Sequence, residues 1–334
     1  MEKGFYAFGT MNYIRIDSAM PVKTQDLLLQ NMQEKCEKLD DLLSAFKSES
    51  DIGKINANAG KVMVSVDAVT FRLLKYAISY AEASNGAFDP TIRPAVELWK
   101  IGKKEERVPE KNECQRIRKL VNYKAVRFDA VSQSVLLEHP GQALDLGGIA
   151  KGYAGDVIRN ELIDNGVTSG ILNFGGTILT IGKKTDGADW KIGIQNPLQE
   201  RGAIIGSVVL NQDALVTSGV NERFFVKNGI RYHHLIDPYT CEPARTGVLS
   251  VTAAGDCAMG LDAITTALFI LGVEKGIRFA REMGVEALYL CEDGNILATK
   301  EFAKGKYQIE MKKKNTTMKS EDEYGRTENT ENGE

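Results

Sequence analysis

Three short stretches of this 334-residue chain hold side chains suited to metal binding, anion binding or proton transfer. In GLDAITTALFILG, Asp262 and Thr266 stand four residues apart in an otherwise apolar run, so on a helix their oxygens face the same way. A carboxylate in such a run is costly unless it is paired or holds a metal. Asp and Thr oxygens, joined by a main-chain carbonyl from elsewhere, form the hard, incomplete donor set that Mg²⁺ accepts while keeping positions for a substrate phosphate. The same two residues also read as a helix cap and a hydroxyl bonded back to a carbonyl, and spacing alone leaves both readings open.

The second stretch is ALDLGGIAKGYAGD, residues 143–156. Two glycines and two small residues precede a helix start, with Lys151 in its first turns. Free N–H groups at a helix N-terminus plus one ammonium make an anion cradle. A close-packed helix entry with a solvated lysine fits the same letters. The third stretch, RYHHLIDP, ends a strand in a turn at Asp237-Pro238. Neighbouring strand residues point to opposite faces, so only one of His233 and His234 can face a given site, where a neutral imidazole could serve as general base. Familiar phosphate and nucleophile motifs fail: in GGTILTIGKK, Lys184 stands where a P-loop needs Ser or Thr, and there is no G-x-G-x-x-G after a strand and no G-x-S-x-G.

These stretches need elements to hold them. Apolar residues at Leu28, Met32, Cys36, Leu39, Leu43 and Phe46 mark a helix over Gln25–Phe46. Residues 5–17 read as a strand and 48–60 as a polar loop. A second helix is expected from Ser65 to Asn85, with Ser65 or Asp67 as cap and Gly86 as stop. In GAFDPTIRPAVELW, Pro90 and Pro94 should break any helix, and a charged insertion follows at 102–119. Strands are expected near 125–138, then the Gly-rich loop and a helix ending at Asn165-Gly166. GILNF, TILTI, WKIGIQ, IIGSVVL, RFFV and RYHHLID read as strands, the last two joined by a Lys227-Asn228-Gly229 hairpin. Helices over Asp256–Leu271 and 274–284 precede a final hairpin of VEALYL and NILAT. Strand runs joined by hairpins, with helices grouped rather than alternating, argue for an α+β layer fold. We expect one domain over residues 1–311 and a disordered charged tail over 312–334.

Composition narrows the function classes. Lys plus Arg number 42 and Asp plus Glu 45, a net charge of −3, so no global nucleic-acid surface is indicated. Five cysteines without a C-x-x-C pair read as reduced thiols, and three histidines argue against a Cys/His zinc site. No run approaches the ~18 apolar residues of a membrane span. With no apolar leader segment and no lipid-accepting cysteine at the N-terminus, the expected compartment is the cytoplasm, the alternative being an exported protein whose leader was removed.

Taken in order, GAFDPTI (86–92), DLGGIAKGYA (145–154), LNFGGTI (172–178), WKIGIQNP (190–197), VTSGVNERFF (216–225), YHHLIDP (232–238) and LDAITTALFILG (261–272) resemble the ApbE-type flavin transferases, over roughly residues 5–311. The resemblance implies a T-fold-like α+β architecture with mixed and antiparallel sheets and packed helices. It implies FAD as substrate, Mg²⁺ as cofactor, and transfer of FMN to a Thr or Ser hydroxyl of an acceptor protein carrying a flavinylation motif, with AMP released. By the same resemblance Gly148, Asp262 and Thr266 hold the metal, Lys151 lies near the diphosphate and His234 is the base. FAD contacts are then expected from Thr10, Met11, Ala87, Phe88, Asp89, Asp145, Asn173, Phe174, Gly175 and Gly176. Departures from the family pattern fall at Phe8, Phe46, Thr177 and Cys241. The competing functions for the same residues are an FAD pyrophosphatase giving FMN and AMP, and a non-catalytic flavin-binding protein.

Overall fold

The computed structural model describes residues 1–312 and 318–320. Its centre is a nine-stranded sheet whose strands lie in chain order: Glu2–Ala7, Thr10–Ile16, Gly170–Phe174, Thr177–Ile181, Ala214–Gly219, Val248–Gly255, Glu286–Cys291, Ile296–Ala298 and Met318–Ser320. Every neighbouring pair is antiparallel except the last, which is parallel. Helices Val22–Leu43, Ala150–Asp164 and Ala258–Glu282 are inserted between strands and pack together against the sheet. This is the α+β arrangement expected. Val248–Gly255 is buried residue after residue up to Gly255, which requires cover on both faces of the sheet. One apolar core runs from Phe5 to Ile309.

Several expected elements shift for local reasons. Residues 5–17 are not one strand but a hairpin, reversed at Phe8 and Gly9 with φ of 54° and 71°. The first helix is Val22–Leu43. Its seam of Leu28, Met32, Cys36, Leu39 and Leu43 is buried, but Phe46 lies beyond the end and is exposed. The loop at 48–60 contains the helix Asp51–Ala57, because Ser50 caps it by accepting from the Gly53 N–H at 2.8 Å. Asp67, not Ser65, caps Ala68–Ala83 through the Val69 N–H at 2.7 Å, and Ser65 sits in a short strand. Pro94 does not break a helix: it occupies the first turn of Arg93–Trp99, where a missing N–H costs nothing.

The helix from the Gly-rich loop runs Ala150–Asp164, and the Lys227-Asn228-Gly229 reversal forms as expected, with φ of 52° at Asn228 and 76° at Gly229. Ala258–Glu282 is a pair of helices meeting at Gly272, whose φ of 72° breaks the run where two helices were anticipated. The strand Ala214–Gly219 is an addition to the strands expected from the sequence. Met318–Ser320 corrects the expectation of a wholly disordered tail, since it pairs with Ile296–Ala298. Residues 313–317 and 321–334 of that expected tail lie outside the described residues.

A second, smaller apolar cluster gathers Ala95, Trp99, Cys114, Phe225, Ile236 and Cys241. It joins the Arg93–Trp99 helix, the Lys111–Arg118 helix of the charged insertion and the hairpin Phe224–Lys227/Ile230–His233. The indole of Trp99 donates to the Cys241 carbonyl at 2.7 Å.

Candidate active site

The Ala150–Asp164 and Ala258–Glu282 helices meet closely because residue 152 is glycine. A Cβ there would stand 2.2 Å from the Ala258 carbonyl oxygen. The approach brings the first-turn N–H of Gly152, which has no partner within its own helix, to 3.1 Å from Asp262 Oδ2. The favour is returned four residues on. Asp156 accepts from Ala258 N at 3.1 Å and Met259 N at 2.8 Å, the two unpaired donors that open the partner helix. Arg159 holds Asp156 at 3.0 Å. Each helix thus carries the carboxylate that satisfies the other's N-terminus.

Asp262 is buried, and Lys151 Nζ lies 3.3 Å from both of its oxygens. The same ammonium donates to the Gly147 carbonyl at 2.6 Å. Asp262 does not cap its own helix, whose cap is Cys257. Thr266 Oγ1 does bond back, to the Asp262 carbonyl at 3.3 Å. A Cβ on Gly148 would be 3.4 Å from Thr266 Oγ1 and 3.2 Å from the Phe88 ring. Gly148, Lys151, Asp262, Thr266 and Phe88 therefore converge at one place. Among the described residues no group of three or more His, Cys, Asp or Glu side chains could hold a metal. A cation here would rely on one carboxylate, one hydroxyl and backbone oxygen, a set that suits a hard ion and not zinc.

The Ala87–Asp89 segment meets this cluster through Phe88. Ala87 is buried, and the Asp89 carboxylate is engaged inside the protein. It accepts from the Thr91 N–H at 2.8 Å, the Thr91 hydroxyl at 2.7 Å and the Tyr123 N–H at 3.1 Å. Burial pushes its pKa up to about 6 against the lowering effect of those bonds. Asp145 accepts from the Gly147 N–H at 2.8 Å and from Arg93 at 3.1 Å, so it shapes the Gly-Gly loop. Arg93 in turn lies 3.9 Å from the Phe46 ring centroid and pairs with Glu97.

A second group forms at the sheet end that carries the Phe8-Gly9 reversal. Gly175 and Gly176 turn with φ of 59° and 96°, and Asn173 Oδ1 accepts the Gly176 N–H at 2.9 Å. A Cβ on Gly175 would meet Thr10 at 2.6 Å, so Thr10 rests directly on this turn, beside the exposed Met11. Thr217 and Ser218 lie at the same end by strand register, and the Ser218 hydroxyl donates to Thr265 Oγ1 at 3.0 Å, next door to Thr266.

His233 and His234 separate as adjacent strand residues should. His233 is buried, its Nε2 3.0 Å from the Ala244 carbonyl and its ring edge-on to Phe269. His234, half-buried, follows the strand end, with its N–H on the Arg223 carbonyl at 3.0 Å and Nδ1 3.3 Å from the same oxygen. Burial first, then the charges of Arg223, His233 and Lys151, push its pKa down to about 3. It is neutral at physiological pH. A carbonyl only accepts, so the Nδ1 contact needs the ring proton on Nδ1 and leaves the lone pair on Nε2.

Sequence reasoning did not single out Gly152, Asp156, Arg93 or Trp99. The small residues Gly152, Ala154 and Gly155 were a visible sign of close helix packing. Nothing local marks Asp156 as the cap of a helix about 100 residues away.

The sequence profile of the ApbE family matches residues 8–289. The FAD:protein FMN transferase of Treponema pallidum is 34% identical over 307 residues, spanning 87% of this chain and 84% of the relative. That of Klebsiella pneumoniae is 34% identical over 273 residues, spanning 81% and 84%. Among solved structures, the ApbE protein of Thermotoga maritima superposes with a TM-score of 0.85 at 35% identity, covering 92% of this chain and 99% of that one. The flavin transferase ApbE of Vibrio cholerae gives 0.75 at 26% identity, covering 87% and 93%.

Proposed function

The chain belongs to the ApbE family and is a flavin transferase, and we propose that it moves the FMN half of FAD onto a Thr or Ser hydroxyl of an acceptor protein. The bond formed is a phosphoester between the hydroxyl oxygen and the FMN-side phosphorus. The bond broken is that phosphorus's link to the bridging oxygen, which leaves with AMP. The observation that carries this reading is the convergence at Asp262 of the Lys151 ammonium, the Gly152 N–H, the Thr266 hydroxyl and the Gly148 corner.

The donor set fits Mg²⁺, since its oxygens come from one buried carboxylate, one hydroxyl and the Gly148 main chain. When bound, Mg²⁺ would neutralise charge on diphosphate oxygens as the anhydride opens. Asp262 and Thr266 would hold it together with the Gly148 carbonyl. Lys151 is tethered by the Gly147 carbonyl, which fixes its ammonium beside the loop that would receive the diphosphate. The glycine turn at 175–176 and Thr10 offer backbone and hydroxyl donors to the remainder of the dinucleotide.

A hydroxyl attacks slowly until its proton has somewhere to go. His234 supplies that acceptor at Nε2 and is already neutral, so no ionisation has to precede the reaction. A pKa near 3 makes it a weak base in the free protein. Negative charge or dipoles of the acceptor brought alongside are what would strengthen it, since further loss of water would only weaken it. No covalent enzyme intermediate is required.

The test is incubation with FAD, Mg²⁺ and a candidate acceptor. Intact mass should show one FMN added per acceptor, with AMP appearing in equal amount, and Asp262→Ala should abolish both. AMP release at full rate without any acceptor would instead make the protein a pyrophosphatase. Tightly held, unconsumed FAD would make it a flavin-binding protein.

A further inference from the structure

Arg93 opens the helix Arg93–Trp99, a place where the helix itself gains little from a cation. Positive charge in a first turn opposes the helix dipole, and Arg four residues before Glu97 is the weaker order for a helical ion pair. The side chain is nevertheless buried, which is costly for a guanidinium unless its donors are met. Two of its partners come from distant parts of the chain. Nη1 lies 3.1 Å from Asp145 Oδ2, and the guanidinium carbon lies 3.9 Å from the centroid of the Phe46 ring. Nη2 pairs with Glu97 at 2.5 Å, and Glu97 is itself held by Lys103 of the charged insertion at 3.0 Å.

From Asp145 the contacts run into the glycine corner. Its other oxygen, Oδ1, accepts the Gly147 N–H at 2.8 Å. The Gly147 carbonyl accepts the Lys151 ammonium at 2.6 Å, and that ammonium also meets Asp262. The peptide groups on either side of Gly147 are therefore both held, one through Asp145 and Arg93, the other through Lys151 and Asp262. Glycine loses more backbone freedom on ordering than any other residue, so two in a row stay fixed only when groups outside the loop hold them. The Asp145 backbone is anchored too, its N–H donating at 2.7 Å to the carbonyl of Pro90, three residues before Arg93.

We propose that Arg93 is a positioning residue: through Asp145 it holds the Gly147 peptide, and with it the Gly148 corner and the Lys151 ammonium, in place for a diphosphate and its cation. The proposal rests on the transferase reading above for what the corner receives. Groups fixed in advance favour a charged ligand because they need not reorganise around it. Lysine would serve less well, since one ammonium has no planar fork to reach Asp145, Glu97 and the ring together.

The test compares the full chain with Arg93→Gln, Arg93→Lys, Asp145→Ala and the double variant Arg93→Gln, Asp145→Ala. Two quantities are read on each. One is hydrogen exchange at the Gly147 amide in the free protein; the other is the Mg²⁺ concentration at half-maximal AMP release from FAD with acceptor present. Arg93→Gln should speed the exchange by ~10-fold, because the corner opens more easily. It should raise the half-maximal Mg²⁺ concentration by ~10-fold, with the rate at saturating Mg²⁺ within ~3-fold of the parent. Arg93→Lys should recover part of both, leaving shifts of ~3-fold. In the double variant, Arg93→Gln should add nothing to the effect of Asp145→Ala, since the route to Gly147 is already cut. A lower melting temperature with both quantities unchanged makes Arg93 structural only and overturns the proposal. So does a double variant in which the two single effects multiply, because Arg93 would then act by another route. If Arg93→Gln does not fold, Arg93→Lys carries the same comparison over its smaller shifts. Should the parent release no AMP under any condition, the transferase reading fails, and the exchange at Gly147 alone decides the role of Arg93.

Discussion

Asp262 is held between two helices inside the main core, whereas His234 is carried at the end of a two-stranded hairpin stacked on a second, smaller core around Trp99. The first position is over-determined. Gly152 allows contact at backbone distance, the helices satisfy each other's N-termini through Asp156 and Asp262, and Lys151 bridges the gap. The second is held by few interactions: two contacts to the Arg223 carbonyl, aromatic stacking on one face, and the Trp99 bond to Cys241. Under the proposed function, the contrast matches what each half would do. Groups that handle a dinucleotide's charge gain from a fixed, preorganised position, because they need not reorganise as charge develops. A proton acceptor serving another protein gains from standing at an open edge.

The comparison can be broken most directly at its rigid half. Asp262→Asn keeps the shape and the Gly152 contact but removes the charge. Transfer should fall by about 10³-fold, equivalent to ~4 kcal/mol, with the thermal midpoint nearly unchanged. Steady-state kinetics over a Mg²⁺ titration checks this. His234→Gln should lower kcat by about 10²-fold and leave FAD affinity intact, since under the proposed function the base would act on the acceptor and not on the dinucleotide. Loss of FAD binding in that variant would place His234 in the wrong half.

Gly152→Ala sets a Cβ against the Ala258 carbonyl and must push the helices apart. A cost of about 1–3 kcal/mol in unfolding free energy is expected, together with weaker Mg²⁺ dependence, measured by denaturant melts and activity on one preparation. Trp99→Phe removes the donor to the Cys241 carbonyl and should cost about 1–2 kcal/mol. If the two regions are independent, it raises the acceptor KM while the Mg²⁺ requirement stays as in the parent.

The smallest effect concerns pH. Burial holds His233 down to about 4 and His234 down to about 3, so the unfolded chain takes up protons near pH 6.5 that the fold refuses. The stability these two confer is present above pH 6.5 and is lost as pH falls toward 4. Asp89, raised to about 6, works in the opposite sense: its contribution is present below pH 4 and lost as pH rises through 6. Two imidazoles against one carboxyl should give a net fall in melting temperature from pH 6.5 to 4. His233→Gln should flatten that fall.

Much of the site was legible in one dimension. Asp262 and Thr266 share a helix face because their spacing is one turn, and the Asn228-Gly229 reversal followed from its residue types. Pro94 misled because a proline tolerated in the first turn of a helix looks the same in sequence as one that breaks it. Phe46 misled because an apolar seam can continue in the sequence past the residue where the helix ends. Asp89 reads in sequence only as a ligand contact; the structure adds that its oxygens are engaged by Thr91 and by Tyr123, the latter 34 residues away.

One dimension, then, held most of the helices and strands, the oxygens that share a helix face, and the family pattern they spell. Those properties arise from periodicity and turn chemistry within a few residues. It took three-dimensional packing for Gly152 to meet Ala258, for Asp156 and Asp262 each to serve the other's helix, and for the charged insertion to join Trp99 in supporting the His234 hairpin. These are contacts across long stretches of chain, set by how whole elements pack, and no local rule of spacing contains them.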